Sequence, residues 1–394
     1  MAHDQPHPDS DGPITFAADA LRPKVTILGI GQMGLVCGAM LSDLQNGGAS
    51  PKPDVFAVNG TQERRGESGE SSRVAPRPTL RPIVRLWGHS ADETAHLVQA
   101  RRSDRLPGFV LGDSVRVSMR AKEALAEADV IVSAVPVQYS RAVWAQVREF
   151  VPAKAAVVSV AKGIENTTLL RPTQIITEVL ADDPDLAARP IGVLSGPTIA
   201  SELARCLPAT MVSASDSPAL RRYVQDLFAT RWMRIYTSPD MIGVELAGAM
   251  KNVIAIAAGI VDGLGAGSNA KSALLARGLA EIARLGAAMG ASPDTFFGIA
   301  GVGDLATSCF SPEGRNRTCG EAMGKGRKLD DYLASSRFVV EGVATTRSVM
   351  DLARKFRVDM PITSAVHAVL FEGTDAIDAI DRLMRREQKQ ERVG

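Results

Sequence analysis

The tightest constraint on how this chain folds is a short run that opens near residue 24. Val25, Ile27 and Leu28 make a short apolar stretch rich in β-branched residues, Gly29-Ile30-Gly31-Gln32-Met33-Gly34 follows at once, and an apolar helical pattern continues through Leu41. A strand that turns through GxGxxG straight into a helix has a physical logic. The first glycine permits the tight turn, the second lets backbone approach a pyrophosphate, and the third lets helix and strand pack closely. The helix N-terminus beyond it favours the anion. The run predicts the first strand–helix unit of a parallel sheet and a dinucleotide cradle at Gly29, Gly31 and Gly34. The alternative is a tight turn in a sheet protein that holds no nucleotide.

Further strand signals stand at Ile83–Trp87, Val130–Val132, Ala156–Val158 and Ile191–Leu194, with helix-like segments between. Strands alternating with helices imply a parallel sheet. From about Met241 the pattern changes to long Ala/Leu/Met-rich segments at 242–260, 269–290, 318–325 and 342–356. At 394 residues, two domains are the natural expectation. The fold expected is α/β: an N-terminal Rossmann domain with a parallel-rich sheet over 23–238, then an all-helical domain over 239–385. Residues 1–22 read as a disordered tail and 386–394 as a second tail. Residues 46–80 are rich in Gly, Ser, Pro and Arg with few large apolar side chains, and read as a flexible insertion. A second glycine cluster, Gly263 to Gly267, follows a helical segment rather than a strand and reads as a helix–helix connection.

Composition excludes several classes. The net charge is +1, so no global field argues for nucleic acid or an anionic membrane, and an anionic ligand must be held by local cations. Cys37, Cys206, Cys309 and Cys319 form no CxxC pair. That fits a reducing cytoplasm and argues against a disulfide framework or a zinc site. The N-terminus lacks the basic start and apolar core of a secretory signal. No apolar run is expected to span a bilayer.

The most informative stretch is Leu246 to Gly259, small and apolar on all sides around Lys251. A buried ammonium is costly unless paired, and a lysine in such a place suits proton transfer. The alternative is a lysine that snorkels at the helix edge. Asp304, in Gly301-Val302-Gly303-Asp304-Leu305, offers the counter-charge. Arg315 and Arg317, in Gly314-Arg315-Asn316-Arg317, are either phosphate-gripping or part of a solvated basic loop. Lys162 and the Ser195-Gly196-Pro197-Thr198 turn each follow a strand end, where open α/β sheets bind ligands. The second strand ends in Leu86-Trp87-Gly88-His89-Ser90, without the acid that grips a ribose 2′-hydroxyl. NAD and NADP therefore both remain open. His89 either sits near the adenosine ribose or is an ordinary surface histidine.

Together these motifs resemble the NAD(P)-dependent glycerol-3-phosphate dehydrogenase family, over about residues 24–45 and 82–378. The carrying segments, in order, include GIGQMG, LWGH, AVPVQ, KGIE, SGPTIASELA, ELAGAMKNV, DGLGAGSNAKSALLARGL, GVGDL, GRNR and VVEGV. The resemblance implies reversible reduction of dihydroxyacetone phosphate to sn-glycerol 3-phosphate for phospholipid synthesis. It implies a cytoplasmic enzyme, a homodimer as a common assembly, and a site between the two domains. It gives Lys251 and Asp304 the catalytic roles. Lys162, Gly196, Thr198, Gly314, Arg315 and Asn316 join them at the substrate. Gln32, Met33, Ala200, Val339 and Glu341 fall at cofactor positions, and Lys162 and Arg315 also touch the cofactor side. No metal is expected, since a lysine does the polarising. The 46–80 insertion departs from the family pattern, and Gly314 stands where bacterial members often carry serine. Two rival readings are a dehydrogenase of non-phosphorylated hydroxy acids and a non-catalytic nucleotide sensor.

Overall fold

The expected apolar strands pair into one sheet. A computed structural model describes residues 22–42, 82–181, 188–336, 338–387 and 390. The expected 46–80 insertion lies outside the described residues, as do all but Arg22 of the N-terminal tail and all but residues 386, 387 and 390 of the C-terminal one. The strands are β1 (Lys24–Leu28), β2 (Ile83–Trp87), β3 (Arg116–Ser118), β4 (Val130–Ser133), β5 (Ala156–Ser159), β6 (Ile191–Ser195), β7 (Ala209–Ala214) and β8 (Met233–Ser238). Their spatial order is β3-β2-β1-β4-β5-β6-β7-β8. Strands β1, β4 and β5 are apolar along nearly their whole length because both sheet faces are covered; Val25, Ile27, Val130, Val132 and Val157 are fully buried. The order reverses between β1 and β4, and ligands bind outside the strand ends at such a switch point.

One pairing departs from the expected parallel pattern. β6 and β7 are antiparallel. The helix between them, Ala200–Ala204, has five residues and rises about 7.5 Å. That is too short to carry the chain back along a strand about 16 Å long. Strands β3, β7 and β8 were also not signalled by an apolar run. β3 has three residues, β7 is Ala/Ser/Thr-rich, and β8 is a sheet edge that alternates buried Met233 and Ile235 with exposed Arg234 and Tyr236.

After β8 the described chain is helical. Helices Met241–Gly263, Gly267–Ala288, Arg315–Gly324 and Glu341–Phe356 match the four long segments read from the sequence. Gly263 to Gly267 joins the first two, as expected of a connection. The Met241–Gly263 helix is the axis of this half, with every residue from Gly243 to Val261 buried. By length and hydropathy it is apolar enough to cross a bilayer, contrary to the expectation that no run would be. Its apolar window is wholly buried inside the protein, which explains the hydropathy as that of a core helix.

Two glycine pairs at helical spacing let the Arg315–Gly324 helix lie against this axis. A Cβ at Gly259 would strike the Arg317 carbonyl, and one at Gly320 would strike the Ile256 carbonyl. Gly263 and Gly324 repeat the arrangement one turn on. The crossing fixes where Arg315 begins its helix. Gly259→Ala is expected to cost about 3 kcal/mol through forced separation of the two backbones. Chemical denaturation measures it, and an unchanged midpoint would show that the helices have room to spare.

Candidate active site

The site forms where the sheet's carboxyl ends meet the helical half. A cleft of about 650 Å³ runs from the glycine turn to the middle of the Met241–Gly263 helix. Gly29 has φ +111°, a left-handed value that favours glycine, and a Cβ there would lie 2.8 Å from the Ala134 carbonyl oxygen. Gly31 faces the cleft, and a Cβ on it would meet nothing within 4 Å. The open space over its backbone is the room a pyrophosphate needs, so the turn fits a dinucleotide. Gly34 does not line the cleft. A Cβ on it would strike the Gly29 carbonyl, which fits the packing role read for the third glycine. Gln32 and Met33 line the cleft beside the turn.

At the far end, one buried carboxylate holds two lysines. Asp304 opens the Asp304–Phe310 helix and is 1% exposed. Its Oδ1 lies 2.9 Å from Lys251 Nζ and its Oδ2 lies 2.5 Å from Lys162 Nζ. Lys162 Nζ also donates to the Gly196 carbonyl at 3.0 Å, and Lys251 Nζ donates to Ser308 Oγ at 2.5 Å. Lys251 is therefore buried and paired, not snorkelling. Burial pushes the Lys162 ammonium down to about 8, and nearby Lys251 adds to that, while Asp304 opposes it. With both lysines charged, the trio carries a net positive charge facing the cleft, which invites an anion. Burial raises the Glu341 carboxyl, against the pull of Arg315, Lys162 and Lys251.

Arg315 sits at the N-terminus of its helix behind Gly314, and both line the cleft. Its Nη1 donates to the Val339 carbonyl at 3.4 Å, and its guanidinium stands 5.8 Å from the Phe338 ring centroid. Arg317 turns away and pairs with Asp262 at 2.6 Å. The two arginines thus separate, one toward the ligand space and one toward structure. Asn316 donates to Asn252 Oδ1 at 2.9 Å and accepts from Gly342 N at 2.9 Å, which leaves one amide N–H uncommitted.

The remaining sequence-derived residues spread along the cleft. Thr198, Ala200, Val339 and Glu341 line it, and Gly196 stands behind the wall with only its carbonyl engaged by Lys162. His89 lies at the other end, on the surface, with Nδ1 3.1 Å from Gln146 Oε1. Sequence reasoning passed over Asn252 and Ser308. Asn252 is 3% exposed, lines the cleft, and its Nδ2 has no protein partner. A second polar residue beside Lys251 in so apolar a helix was the available signal. Ser308 carried none, since its partner lies 57 residues away.

Known proteins resemble this chain in sequence and in fold. Residues 24–221 match the family described as NAD-dependent glycerol-3-phosphate dehydrogenase N-terminus, and residues 240–381 match its C-terminus. A Bacillus pumilus protein named glycerol-3-phosphate dehydrogenase [NAD(P)+] is 44% identical over 309 residues, covering 78% of this chain and 89% of that protein. Its Macrococcus caseolyticus namesake is 47% identical over 310 residues, covering 78% and 92%. The crystal structure of glycerol-3-phosphate dehydrogenase from Coxiella burnetii superposes with a TM-score of 0.79 at 29% identity, covering 93% of this chain and all of that one. The chain belongs to the NAD-dependent glycerol-3-phosphate dehydrogenase family.

Proposed function

We propose that this enzyme interconverts dihydroxyacetone phosphate and sn-glycerol 3-phosphate, with NAD or NADP as hydride carrier. The observation that carries the reading is the buried Asp304 carboxylate clasping Lys251 and Lys162 in a cleft that begins at a glycine cradle. When bound, the dinucleotide supplies or accepts the hydride. Lys251 Nζ donates a proton to the oxygen that becomes the alkoxide, and takes it back in the oxidative direction. Asp304 fixes the direction of that ammonium and balances its charge. Arg315, at a helix N-terminus, grips the phosphate in forked geometry. Asn252 Nδ2 and the spare Asn316 N–H are further donors for substrate oxygens. The same reading makes 23–238 the dinucleotide domain and 239–385 the catalytic one. It places the enzyme in the cytoplasm as a homodimer supplying phospholipid synthesis.

Arg315→Ala is expected to raise the Michaelis constant for the phosphorylated substrate by about a hundredfold, the worth of a lost charge-assisted forked contact. An unchanged constant in steady-state kinetics would remove the phosphate assignment and favour a non-phosphorylated hydroxy acid.

The pH dependence follows from Lys162. Its ammonium is the charged form below about 8 and the neutral form above. The charged form attracts the anionic substrate, so kcat/KM for reduction falls as pH rises through that region. Lys162→Arg keeps the charge at all working pH values, so the limb moves upward. A limb left in place by that substitution assigns it to another group.

A further inference from the structure

We propose that Glu93 and Arg105 form a cofactor selector, in which the ion pair between them sets the balance between NADH and NADPH. The inference rests on the dinucleotide reading of the cleft and concerns the end of it that chemistry does not touch.

In sheets of this order the adenosine ribose lies beyond the strand next to the glycine turn, where an acid at the strand end grips the 2′-hydroxyl. That strand is β2, and Gly88, His89 and Ser90 follow it with no acid among them. The acid comes slightly later. Glu93 stands in the first turn of the Ala91–Ala100 helix, with its N–H taken by the capping Ser90 hydroxyl. Arg105 follows that helix. Its Nε lies 3.0 Å from Glu93 Oε2 and its Nη2 lies 2.6 Å from Glu93 Oε1, a forked pair. The Gln32 side-chain amide, in the glycine turn itself, donates to the Arg105 carbonyl at 2.7 Å. That bond ties the Arg105 backbone to the glycine turn. Both side chains line the cleft, and they are 38% and 45% exposed, so a ligand reaches them. His89 is engaged with Gln146 and is not the tethered group.

The two partners want opposite ligands. A carboxylate accepts hydrogen bonds from ribose hydroxyls and repels a phosphate. A guanidinium holds a phosphate in forked geometry. Paired, each restrains the other. A plain ribose leaves the pair closed, with Glu93 lone pairs still free to accept. A 2′-phosphate must draw Arg105 away from Glu93 and then lie near the carboxylate it displaced. Removing the Glu93 charge therefore favours the phosphorylated cofactor, and removing the Arg105 charge favours the other.

The test is binding, read by calorimetric titration of the whole enzyme with NADH, NADPH, adenosine 5′-diphosphate and adenosine 2′,5′-bisphosphate. Glu93→Gln is expected to shift the NADPH-to-NADH affinity ratio about tenfold toward NADPH, and Arg105→Ala about tenfold toward NADH. The two adenosine probes should show the same opposite shifts. A merely structural lesion would weaken both cofactors alike. Ratios that stay within about twofold of wild type in both variants, or that shift the same way in both, overturn the selector. Failure of wild type to bind either dinucleotide would instead overturn the cradle reading beneath it.

Discussion

Replacing Lys251 with alanine is expected to lower kcat in both directions by about a thousandfold, the usual worth of a positioned general acid–base group. The affinity for the dinucleotide should hold, because the glycine cradle lies at the other end of the cleft. The argument starts from burial. Lys251 stands at the middle of a buried helix whose neighbours are apolar apart from Asn252, and only Asp304 and Ser308 meet its ammonium within the protein among the contacts described. A group so placed has few degrees of freedom, so its proton is aimed into the cleft. Stopped-flow measurement of the chemical step together with a cofactor titration separates the two effects. A variant that kept kcat within tenfold would move the proton transfer to Lys162.

Asp304→Ala is expected to harm stability as well as turnover. Removing one partner of a buried ion pair strands the other, at a cost of about 3–5 kcal/mol. Here two cations are stranded, since Lys162 and Lys251 share the one carboxylate. The unfolding midpoint should fall accordingly, and the deficit should narrow as pH rises. The sign follows from Lys162, which burial already holds down to about 8. Asp304 is what opposes that fall, so without it the buried Lys162 ammonium sheds its proton at lower pH than in wild type while the unfolded chain still binds one, and the variant gains stability with rising pH before the wild type does. Asp304→Asn keeps the hydrogen-bonding shape and should fall between wild type and alanine. A midpoint that did not change in Asp304→Ala would mean that the lysines find water or other acceptors.

Much of this was legible because it is local. The glycine turn, the apolar strands β1, β4, β5 and β6, and the long helices announce themselves by period and by neighbours within a few residues. Lys251 was visible as one charge in an apolar run. The Gly263–Gly267 cluster was correctly set aside because a helix, not a strand, precedes it. What was hidden depends on distant partners. That Asp304 holds Lys162 as well as Lys251 joins residues 142 positions apart. The turnaround of β7 depends on a five-residue helix whose length no periodicity reveals. The glycines at 259, 263, 320 and 324 read as ordinary small residues until two helices are seen to touch through them. Arg105 carried no motif at all, and gained meaning only from its tether to Gln32.

The central claim is that the Lys251–Asp304–Lys162 cluster and Arg315 together bind and protonate a phosphorylated ketone as it takes up the dinucleotide's hydride. The direct measurement is the initial rate of NADH and NADPH oxidation with dihydroxyacetone phosphate beside its non-phosphorylated counterpart, dihydroxyacetone. The account predicts turnover with at least one cofactor and a kcat/KM for the phosphorylated substrate greater by about a hundredfold or more. Equal rates with the two ketones, or no turnover by a folded protein that binds the dinucleotide, would contradict it.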